Sequence, residues 1–354
     1  MKLAVIVGAR PQFIKMAVIH RAIQKNNQEK SSKPIQETLI HTGQHYDYGM
    51  NQVFFDEMGL PAPDINLNIH SSLQGEMTGA MITSLEKELL AMKPDCVVIF
   101  GDTNSTLAGA LAASKLHIPI AHVESGLRSF NKKMPEEINR IVVDSISDIL
   151  FCPCKNAQDQ LKKENVSGRI FLSGDVMYDS FLHFKKRAKT PKIKEPFALA
   201  TLHRAENTDD LIRLKSIFSA LENSPIPVLL PLHPRTKKEI KKNGIILGQN
   251  IKTSDPLSYF SMLGHLAKSS FVITDSGGLQ KEAYFSGKPC LTLRNETEWV
   301  ELIDQGFNKL VGTFEANPET AFKWAQQPIV NFGKIYGDGN AGEIILNKLV
   351  DHLK

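Results

Sequence analysis

Cysteine is scarce in this sequence, and no hydrophobic run is long enough to cross a membrane. The four cysteines, Cys96, Cys152, Cys154 and Cys290, form no Cys-x-x-Cys pair, and three of them lie in apolar runs. Buried free thiols in a reducing compartment fit this pattern best. The apolar run in the opening MKLAVIVGARPQ is too short for a signal peptide, and no stretch reaches the roughly 18 apolar residues of a membrane span. We therefore expect a cytoplasmic protein with no membrane partner.

Positive and negative charges are also nearly balanced in this sequence, so neither sign is in large excess. The formal net charge is only +4 at pH 7, and the lysines are scattered, without the interleaved aromatic residues of a nucleic-acid surface. We therefore expect no nucleic-acid partner. Hydrophobic residues make up 42% of the chain and charged residues 23%, which is typical of a globular protein. A length of 354 residues favours two domains.

Short apolar runs alternate with amphipathic segments along nearly the whole chain. The runs have the length and the β-branched content of strands that are buried on both faces. The segments between them have apolar residues at helical spacing, as in Leu73–Met92. Alternation of this kind predicts an α/β fold with parallel sheets and right-handed crossovers. The predicted strands are Leu3–Val7, Thr38–Ile40, Cys96–Phe100, Ile118–Val123, Ile149–Cys152, Phe197–Leu202, Pro227–Leu232, Phe271–Thr274 and Cys290–Leu293.

Residues 184–196, FKKRAKTPKIKEP, have no helical or strand period and are rich in lysine and proline. We interpret this stretch as the linker region between two Rossmann-like, doubly wound domains. Polar residues come just after the apolar runs in both halves, where ligands bind in open parallel sheets. Two such sheet edges are expected to face each other across a cleft. These polar groups are Gly8–Pro11, His41–His45 with Gln44, Gly101–Thr103, His122–Glu124, His203-Arg204, His233–Arg235, Asp275–Gly278 and Arg294.

The stretch FVITDSGGLQKEA, residues 271–283, ends a strand in a serine and two glycines and then turns into a helical pattern. Backbone N–H groups at such a turn bind phosphate, helped by the positive end of the helix dipole. Ser276, Gly277 and Gly278 are therefore candidate diphosphate ligands, and Glu282 could accept hydrogen bonds from a ribose diol. A tight turn with a solvated Glu282 is the alternative.

Arg10 and Lys15 follow the first strand, where they could contact phosphate oxygens. The alternative for them is a capped helix with surface cations. The motif GDGNAG at residues 337–342 has dinucleotide-binding spacing but no βαβ unit after it, so we interpret it as the turn into the last helix. The histidines have no defensible ligand spacing for a metal. We expect neither a nicotinamide cofactor nor a metal.

Carboxylates gather at the strand ends of the first half. Asp102, Glu124 and the pair Glu136-Glu137 would raise one another's pKa if they shared a cleft, which suits proton transfer. The alternative for Asp102 is a helix N-cap. For Glu137 we favour capping and stabilisation of the helix dipole after Pro135.

Eight motifs span nearly the whole chain: GARPQFIK, HTGQH, GDTNSTLAGALAA, HVESGLRS, MPEEINR, TLHRAEN, DSGGLQKEA and RNETEW. They occur in the order found in bacterial non-hydrolysing UDP-N-acetylglucosamine 2-epimerases. The sequence resembles this family closely. The resemblance implies a fold like that of glycosyltransferase-B enzymes, with the active site in the interdomain cleft, and a homodimer. It also implies domains at residues 1–180 and 181–338, with a helix at 339–354 that returns to the first domain.

The family's reaction inverts C2 of a UDP-2-acetamido sugar without NAD or metal, by elimination of UDP and its addition back to a glucal. By resemblance, Asp102, Glu124 and Glu136 are the acid/base residues, and His203 assists at the leaving diphosphate. The remaining candidates are expected to bind the UDP-sugar substrate. They are Arg10, Lys15, Gln44, His45, Arg128, Arg140, Arg204, His233, Ser276, Gly277, Gly278, Glu282 and Arg294.

The sequence departs from the common form of the family at Ala9, Gln12 and Trp299, where threonine, glutamate and arginine are usual. These variants, with the stretches NSTLAGALAASKL and LRSFN, resemble the branch that acts on UDP-2,3-diacetamido-2,3-dideoxyglucuronate. They also resemble relatives that act on other UDP-acetamido sugars. The family as a whole implies UDP-N-acetylglucosamine as substrate. The variants at these positions make the diacetamido glucuronate the alternative. The product would serve synthesis of a cell-surface polysaccharide, such as a lipopolysaccharide.

Three further functions remain open on the sequence alone. A glycosyltransferase of the same fold needs an acceptor site and fewer carboxylates than the first half provides. A catalytically inactive sensor is disfavoured by the intact acidic residues and His203. A hydrolysing 2-epimerase usually lacks the Arg10-Pro11 pair that this chain retains.

Overall fold

The computed structural model describes residues 1–29, 34–44, 58–71, 73–314, 317–327, 329 and 333–353. The chain divides into two compact units. The first unit comprises Met1–Leu182 and Lys334–Lys354, and the second comprises His183–Gly333. Among the described residues, no helix is both long and apolar enough to span a membrane.

The first unit contains a seven-stranded sheet in the order β3-β2-β1-β4-β5-β6-β7, in which all paired strands are parallel. Its inner strands β1 and β4 are almost wholly buried, because helices cover both faces of the sheet. The strands are β1 (Lys2–Val7), β2 (Gln36–His41), β3 (Ile65–Asn66), β4 (Cys96–Phe100), β5 (Ile120–Val123), β6 (Ile149–Cys152) and β7 (Arg169–Leu172). The helices are α1 (Arg10–Glu29), α2 (Gln74–Met92), α3 (Asn104–Lys115), α4 (Pro135–Ile146), α5 (Lys155–Glu164) and α6 (Val176–Phe184).

The second unit contains a six-stranded parallel sheet in the order β10-β9-β8-β11-β12-β13. The α/β fold class predicted from the alternating runs is therefore confirmed. The strands are β8 (Ala198–Thr201), β9 (Val228–Pro231), β10 (Ile251–Ser254), β11 (Phe271–Thr274), β12 (Cys290–Thr292) and β13 (Asn308–Leu310). The helices are α7 (Ala205–Thr208), α8 (Leu211–Glu222), α9 (Pro234–Lys242), α10 (Tyr259–Lys268), α11 (Gly277–Phe285), α12 (Val300–Asp304) and α13 (Pro318–Ala325).

The last helix, α14 (Ala341–His352), lies in the first unit, where it packs against α1. A Cβ atom at Gly342 would lie 2.6 Å from Val18 Cγ1, so the two helices approach closely at that point. Before α14, Gly337 and Gly339 have φ angles of +84° and +82°. The GDGNAG motif is thus a left-handed turn into the last helix, as its position in the sequence predicted.

Strand order reverses beside the first strand of each sheet. In the first unit the reversal lies between β1 and β4, and in the second it lies between β8 and β11. A crevice opens at such a switch point beyond the carboxyl ends of the strands, and this is where ligands bind in doubly wound sheets. The residues that follow these four strands are the predicted groups at Arg10, Asp102, His203 and Ser276.

Candidate active site

Asp102 follows β4 at the switch point of the first sheet. Its Oδ2 atom accepts hydrogen bonds from Arg140 Nε at 3.0 Å and from Nη2 at 2.5 Å. Within the described part of the chain no donor contacts Oδ1, and the side chain is 29% exposed. The N-cap of α3 is Thr103, whose side chain accepts from Thr106 N–H, so the capping alternative for Asp102 is wrong. Asp102 instead presents one free carboxylate oxygen.

Glu124, directly after β5, adopts a left-handed backbone with φ of 69°. Few side chains other than glycine, asparagine and aspartate adopt this conformation, and such strain is concentrated at functional sites. Lys15 Nζ lies 2.5 Å from Glu124 Oε1, and both side chains are buried. A Cβ atom at Gly101 would lie 2.9 Å from Lys15 Nζ and 3.5 Å from Glu124 Oε1. The turn after β4 therefore contacts this buried ion pair directly.

The two glutamates at the start of α4 have different surroundings. Glu136 is exposed, and among the described residues it makes no hydrogen bond through its side chain. Glu137 is 1% exposed and accepts from Ser129 N–H, Phe130 N–H and Arg140 Nη1. Burial raises the pKa of Glu137, but these hydrogen bonds outweigh it and bring the pKa below its ordinary value. Capping by Glu137 is therefore wrong, because its carboxylate holds the preceding loop and the arginine that binds Asp102. Its place in the first turn of α4 agrees with the expected stabilisation of the helix dipole.

Gln12 connects the turn after β1 to the end of β4. Its Oε1 atom accepts from the N–H groups of Gly8 and Ala9 at 2.8 and 3.0 Å, and its Nε2 atom donates to Phe100 O at 2.9 Å. The side chain is fully buried. Gln12 thereby fixes the turn that carries Arg10 at the amino end of α1. A glutamate at this position could not donate to a carbonyl oxygen in its ionised form.

Two predicted residues lie after β2. Gln44 Oε1 accepts from the backbone and hydroxyl of Ser105 at 3.1 and 2.7 Å, so its amide is engaged by the start of α3. His41 is buried and stacks on Phe13 with ring centroids 5.3 Å apart. His45 lies outside the described residues.

Arg128 is buried at the loop after β5, although the sequence suggested contact with substrate. Its Nη1 atom donates to Asp144 Oδ2 at 2.7 Å, and its Nε and Nη2 atoms donate to the two carboxylate oxygens of Glu164 at 2.9 and 2.6 Å. Arg128 thus joins α4 and α5 behind the loop.

His203 follows β8 at the switch point of the second sheet and contacts Asp275, which follows β11. Asp275 accepts from His203 Nδ1 at 3.1 Å and from the N–H of Arg204 at 2.9 Å, and it is completely buried. Burial raises the pKa of Asp275, but the hydrogen bonds from His203 and from the two backbone N–H groups outweigh it and lower the pKa. The ionised Asp275 fixes the imidazole, which is 35% exposed.

The glycine-rich turn leads directly into α11. Ser276 is the N-cap, and its side chain accepts from Leu279 N–H. Gly277 and Gly278 form the first turn of the helix, where N–H groups have no partner within the helix. A Cβ atom at Gly277 would lie 2.6 Å from Glu298 Oε1, so a larger residue would displace that carboxylate. This geometry matches an anion site at a helix amino end.

Glu282 lies on the second turn of α11 and is almost completely buried. Burial raises its pKa to about 7, against the opposing effect of the neighbouring Lys281. Lys281 Nζ lies 4.0 Å from the centroid of the Trp299 ring. The described residues provide no hydrogen bond to the Glu282 carboxylate, so the group is well suited to accept bonds from a ligand.

The remaining predicted residues of the second unit surround these turns. His233 is the N-cap of α9, and its ring lies 5.3 Å from that of His203. Arg294 is buried, donates to Glu298 Oε2 at 2.8 Å and lines a cavity of about 440 Å³. In the described part of the chain, no group of three or more His, Cys, Asp or Glu side chains is placed to hold a metal ion.

Comparison with known proteins identifies the family to which this chain belongs. A family model described as UDP-N-acetylglucosamine 2-epimerase matches residues 27–350. The chain belongs to this family. The isomerase class expected from the eight motifs is therefore confirmed, because this family consists of 2-epimerases.

Relatives in the 2-epimerase family match the chain from end to end. The UDP-2,3-diacetamido-2,3-dideoxy-D-glucuronate 2-epimerase of Pseudomonas aeruginosa is 50% identical, over 99% of each chain. The UDP-N-acetylglucosamine 2-epimerase of Methanocaldococcus jannaschii is 41% identical, also over 99% of each chain. A crystal structure of the M. jannaschii enzyme in complex with UDP-GlcNAc and UDP has a TM-score of 0.90 and covers 99% of this chain and 100% of that one.

Sequence reasoning does not identify three residues that support the candidate site. The sequence predicts Asp275 only as part of the glycine-rich turn. Its position directly after the buried strand β11 is the feature that could have identified it. Gln12 lies three residues after Ala9, a spacing that permits a bond back to the helix start, but its bond to Phe100 is not visible in the sequence. Asp144 lies inside a helix, where its spacing gives no sign of His122 or Arg128. Their roles depend on contacts with other strands and loops, which a single sequence does not display.

Proposed function

We propose that this chain inverts C2 of a UDP-2-acetamido sugar by eliminating UDP and adding it back to a 2-acetamidoglucal. One observation supports the proposal: carboxylates follow β4 and β5 beside the switch point of one sheet, and a histidine and a glycine-rich helix start lie at the switch point of the other. The first unit contributes Asp102 and Glu124, and the second contributes His203 and Ser276–Gly278. The carboxylates would serve proton transfer, and the histidine and the turn would serve departure of the diphosphate.

The chemistry explains why both sets are present. The C2 hydrogen of the sugar is not acidified by a carbonyl group, so it is removed only as the anomeric C–O bond breaks. Carboxylates stabilise the positive charge that develops at C1 and transfer the proton. UDP leaves with the bonding electrons, and the reverse addition returns a proton to the opposite face of C2. Asp102, Glu124 and the exposed Glu136 are our acid/base residues.

Asp102 and Glu124 are supported differently. Arg140 binds one oxygen of Asp102 and leaves the other for a proton. Lys15 pairs with Glu124 inside the protein, which stabilises the charge of a carboxylate that is otherwise buried. We propose that Lys15 acts chiefly through this ion pair, while Arg10 at the start of α1 contacts phosphate oxygens.

The second unit would bind the nucleotide. Asp275 fixes the Nδ1 side of His203, so Nε2 is the ring nitrogen available to the leaving diphosphate. The amino end of α11 supplies N–H groups to the same diphosphate. Glu282 accepts hydrogen bonds from the ribose hydroxyls, and Arg204, His233 and Arg294 complete the contacts.

We propose UDP-2,3-diacetamido-2,3-dideoxyglucuronate as the preferred sugar and UDP-N-acetylglucosamine as the second candidate. Identity of 50% to the P. aeruginosa enzyme, against 41% to the M. jannaschii enzyme, supports this order. The departures at Ala9, Gln12 and Trp299 support it as well. Cell-surface polysaccharide synthesis would consume the product.

The test is to incubate the purified protein with each sugar nucleotide and follow the anomeric protons by NMR. We expect the manno epimer from both sugars, with a higher kcat/KM for the diacetamido glucuronate. Faster turnover of UDP-N-acetylglucosamine would reverse the order. Free 2-acetamido sugar would indicate a hydrolysing enzyme, and release of UDP only after an acceptor is added would indicate a glycosyltransferase.

The family resemblance also supports a homodimer in the cytoplasm, which we include in the proposal. All four cysteines are buried and none forms a disulfide bond, as suits a reducing compartment. Light scattering coupled to gel filtration should give twice the 39.4 kDa of one chain. A monomer at assay concentrations that is fully active would contradict the dimer.

A further inference from the structure

His122, on β5, is a fully buried histidine with a partner at each ring nitrogen. Nε2 lies 2.7 Å from the carbonyl oxygen of Gly101, and Nδ1 lies 2.7 Å from Asp144 Oδ1. A carbonyl oxygen only accepts, so Nε2 carries a hydrogen and donates it to Gly101. The ring therefore ties the carbonyl of one turn to a carboxylate on α4.

The other oxygen of Asp144 holds a second turn. Asp144 Oδ2 accepts from Gly126 N–H at 3.1 Å and from Arg128 Nη1 at 2.7 Å. Burial raises the pKa of Asp144, but His122 and Arg128 outweigh it and bring the pKa below its ordinary value. Asp144 is thus a buried, ionised carboxylate whose two oxygens serve two different turns.

These two turns carry the proposed acid/base residues. Gly101 directly precedes Asp102, and Gly126 lies two residues after Glu124. Both glycines have left-handed backbones, with φ of +61° and +84°. A left-handed turn that must keep one orientation needs its peptide groups fixed, and His122 and Asp144 fix one peptide group in each.

We propose that His122 and Asp144 are a buried positioning pair that holds the Asp102 and Glu124 turns in the geometry of proton transfer. The pair does not touch substrate. It acts through the Gly101 carbonyl and the Gly126 N–H, and the inference rests on the proposed function of Asp102 and Glu124. A pair with a structural role only would lower stability without a selective effect on turnover.

Two substitutions at one position separate these roles. The side-chain amide of glutamine reaches the position of Nε2 in histidine, whereas that of asparagine reaches only the position of Nδ1. His122→Gln therefore keeps a donor for Gly101 O, and His122→Asn keeps the contact with Asp144 but loses Gly101. We expect His122→Asn to lower kcat at least 100-fold with little change in KM or UDP affinity, and His122→Gln to lose less than tenfold.

The matched control is Val143→Ala on α4, which removes buried apolar volume and leaves the pair intact. Melting temperatures of all three variants give the stability effect alone. Equal loss of kcat in His122→Gln and His122→Asn, in proportion to their melting temperatures, would overturn the positioning role. If His122→Asn does not fold, Asp144→Asn takes its place: it removes one of the two acceptor oxygens of Asp144, and we expect a loss of kcat beyond that of Val143→Ala.

Hydrogen exchange provides a readout that does not depend on activity. Peptides covering residues 100–106 and 123–128 should exchange faster in His122→Asn than in His122→Gln or Val143→Ala. Unchanged exchange in both peptides would overturn the positioning role of His122 and Asp144. Inactivity of the wild-type protein on both sugars would defeat the proposed function, while the exchange result would still decide whether His122 orders the two turns.

Discussion

Asp102 has one carboxylate oxygen held by Arg140 and the other free of protein donors within the described residues. Replacing it with asparagine keeps the shape but removes the proton-accepting group. We predict that Asp102→Asn lowers kcat by roughly 10²–10⁴, the usual range for loss of a general acid or base. UDP affinity, measured by calorimetry, should change less than about threefold, since the nucleotide contacts that we propose lie mostly in the second unit.

The control is Asp209→Asn, which breaks an exposed ion pair with Arg235. Pairs of this kind contribute little to stability, so its kcat should equal that of the wild type. A fully active Asp102→Asn variant would remove Asp102 from the mechanism.

Glu282 gives UDP binding a pH dependence. Its pKa of about 7 is raised by burial, so the carboxylate is mostly ionised at pH 8 and mostly protonated at pH 6. If the ionised form accepts from the ribose hydroxyls, UDP affinity should fall about tenfold from pH 8 to pH 6. Isothermal titration calorimetry across this range measures the fall directly.

Glu282→Gln removes the titration and should bind UDP more weakly at pH 8. The terminal phosphate of UDP also titrates near pH 6, but it does so equally with both proteins. The difference between the wild type and Glu282→Gln therefore isolates the glutamate. Parallel pH profiles for the two proteins would refute the ribose contact.

At the scale of elements, the turn between β4 and α3 requires a glycine for two reasons. Gly101 is left-handed, and a Cβ atom there would lie 2.9 Å from Lys15 Nζ. Gly101→Ala should therefore cost about 1–2 kcal/mol of stability and also displace the Lys15–Glu124 pair, with a loss of kcat of at least tenfold. Chemical denaturation and steady-state kinetics measure the two effects.

Gly244→Ala separates these two effects. Gly244 has a similar φ of +58°, and a Cβ atom there would meet no atom within 4 Å. Gly101→Ala should lose at least as much stability as Gly244→Ala, and only Gly101→Ala should lose turnover. Equal turnover in both would mean that the Lys15–Glu124 pair tolerates displacement.

The central strands were predictable from the sequence and the edge strands were not. β4 and β11 are buried along their whole length, so they are continuous apolar runs in the sequence. β7, β10 and β13 include exposed or half-buried polar residues, and β3 has only two residues. Their strand conformation comes from pairing with a neighbour, which the local sequence does not specify.

The site was predictable to the same extent. Residues that directly follow a buried strand reach the edge of the sheet by topology alone, which is why Asp102, Glu124, His203 and Ser276 could be selected. The partners of Arg128 lie on α4 and α5, and those of Glu137 lie in the preceding loop and one turn along α4. Burial of a charged side chain is decided by these partners, and no spacing rule reveals it.

At the scale of the whole molecule, the described chain divides into two units, with boundaries at residues 182–183 and 333–334. One unit contains the seven-stranded parallel sheet and the other contains the six-stranded parallel sheet. Each sheet has its own switch point and its own set of polar residues there. The family match over residues 27–350 covers both units. We therefore propose one reaction for the whole chain, with proton transfer by residues of the first unit and nucleotide binding by residues of the second.

The most direct test of this account is proton NMR of the wild-type protein in D₂O with UDP-2,3-diacetamido-2,3-dideoxyglucuronate, followed by UDP-N-acetylglucosamine. Elimination and re-addition require that the proton at C2 be replaced from solvent. The account predicts the manno epimer with deuterium at C2. An epimer that retains its original C2 hydrogen, or no epimer from either sugar, would contradict it.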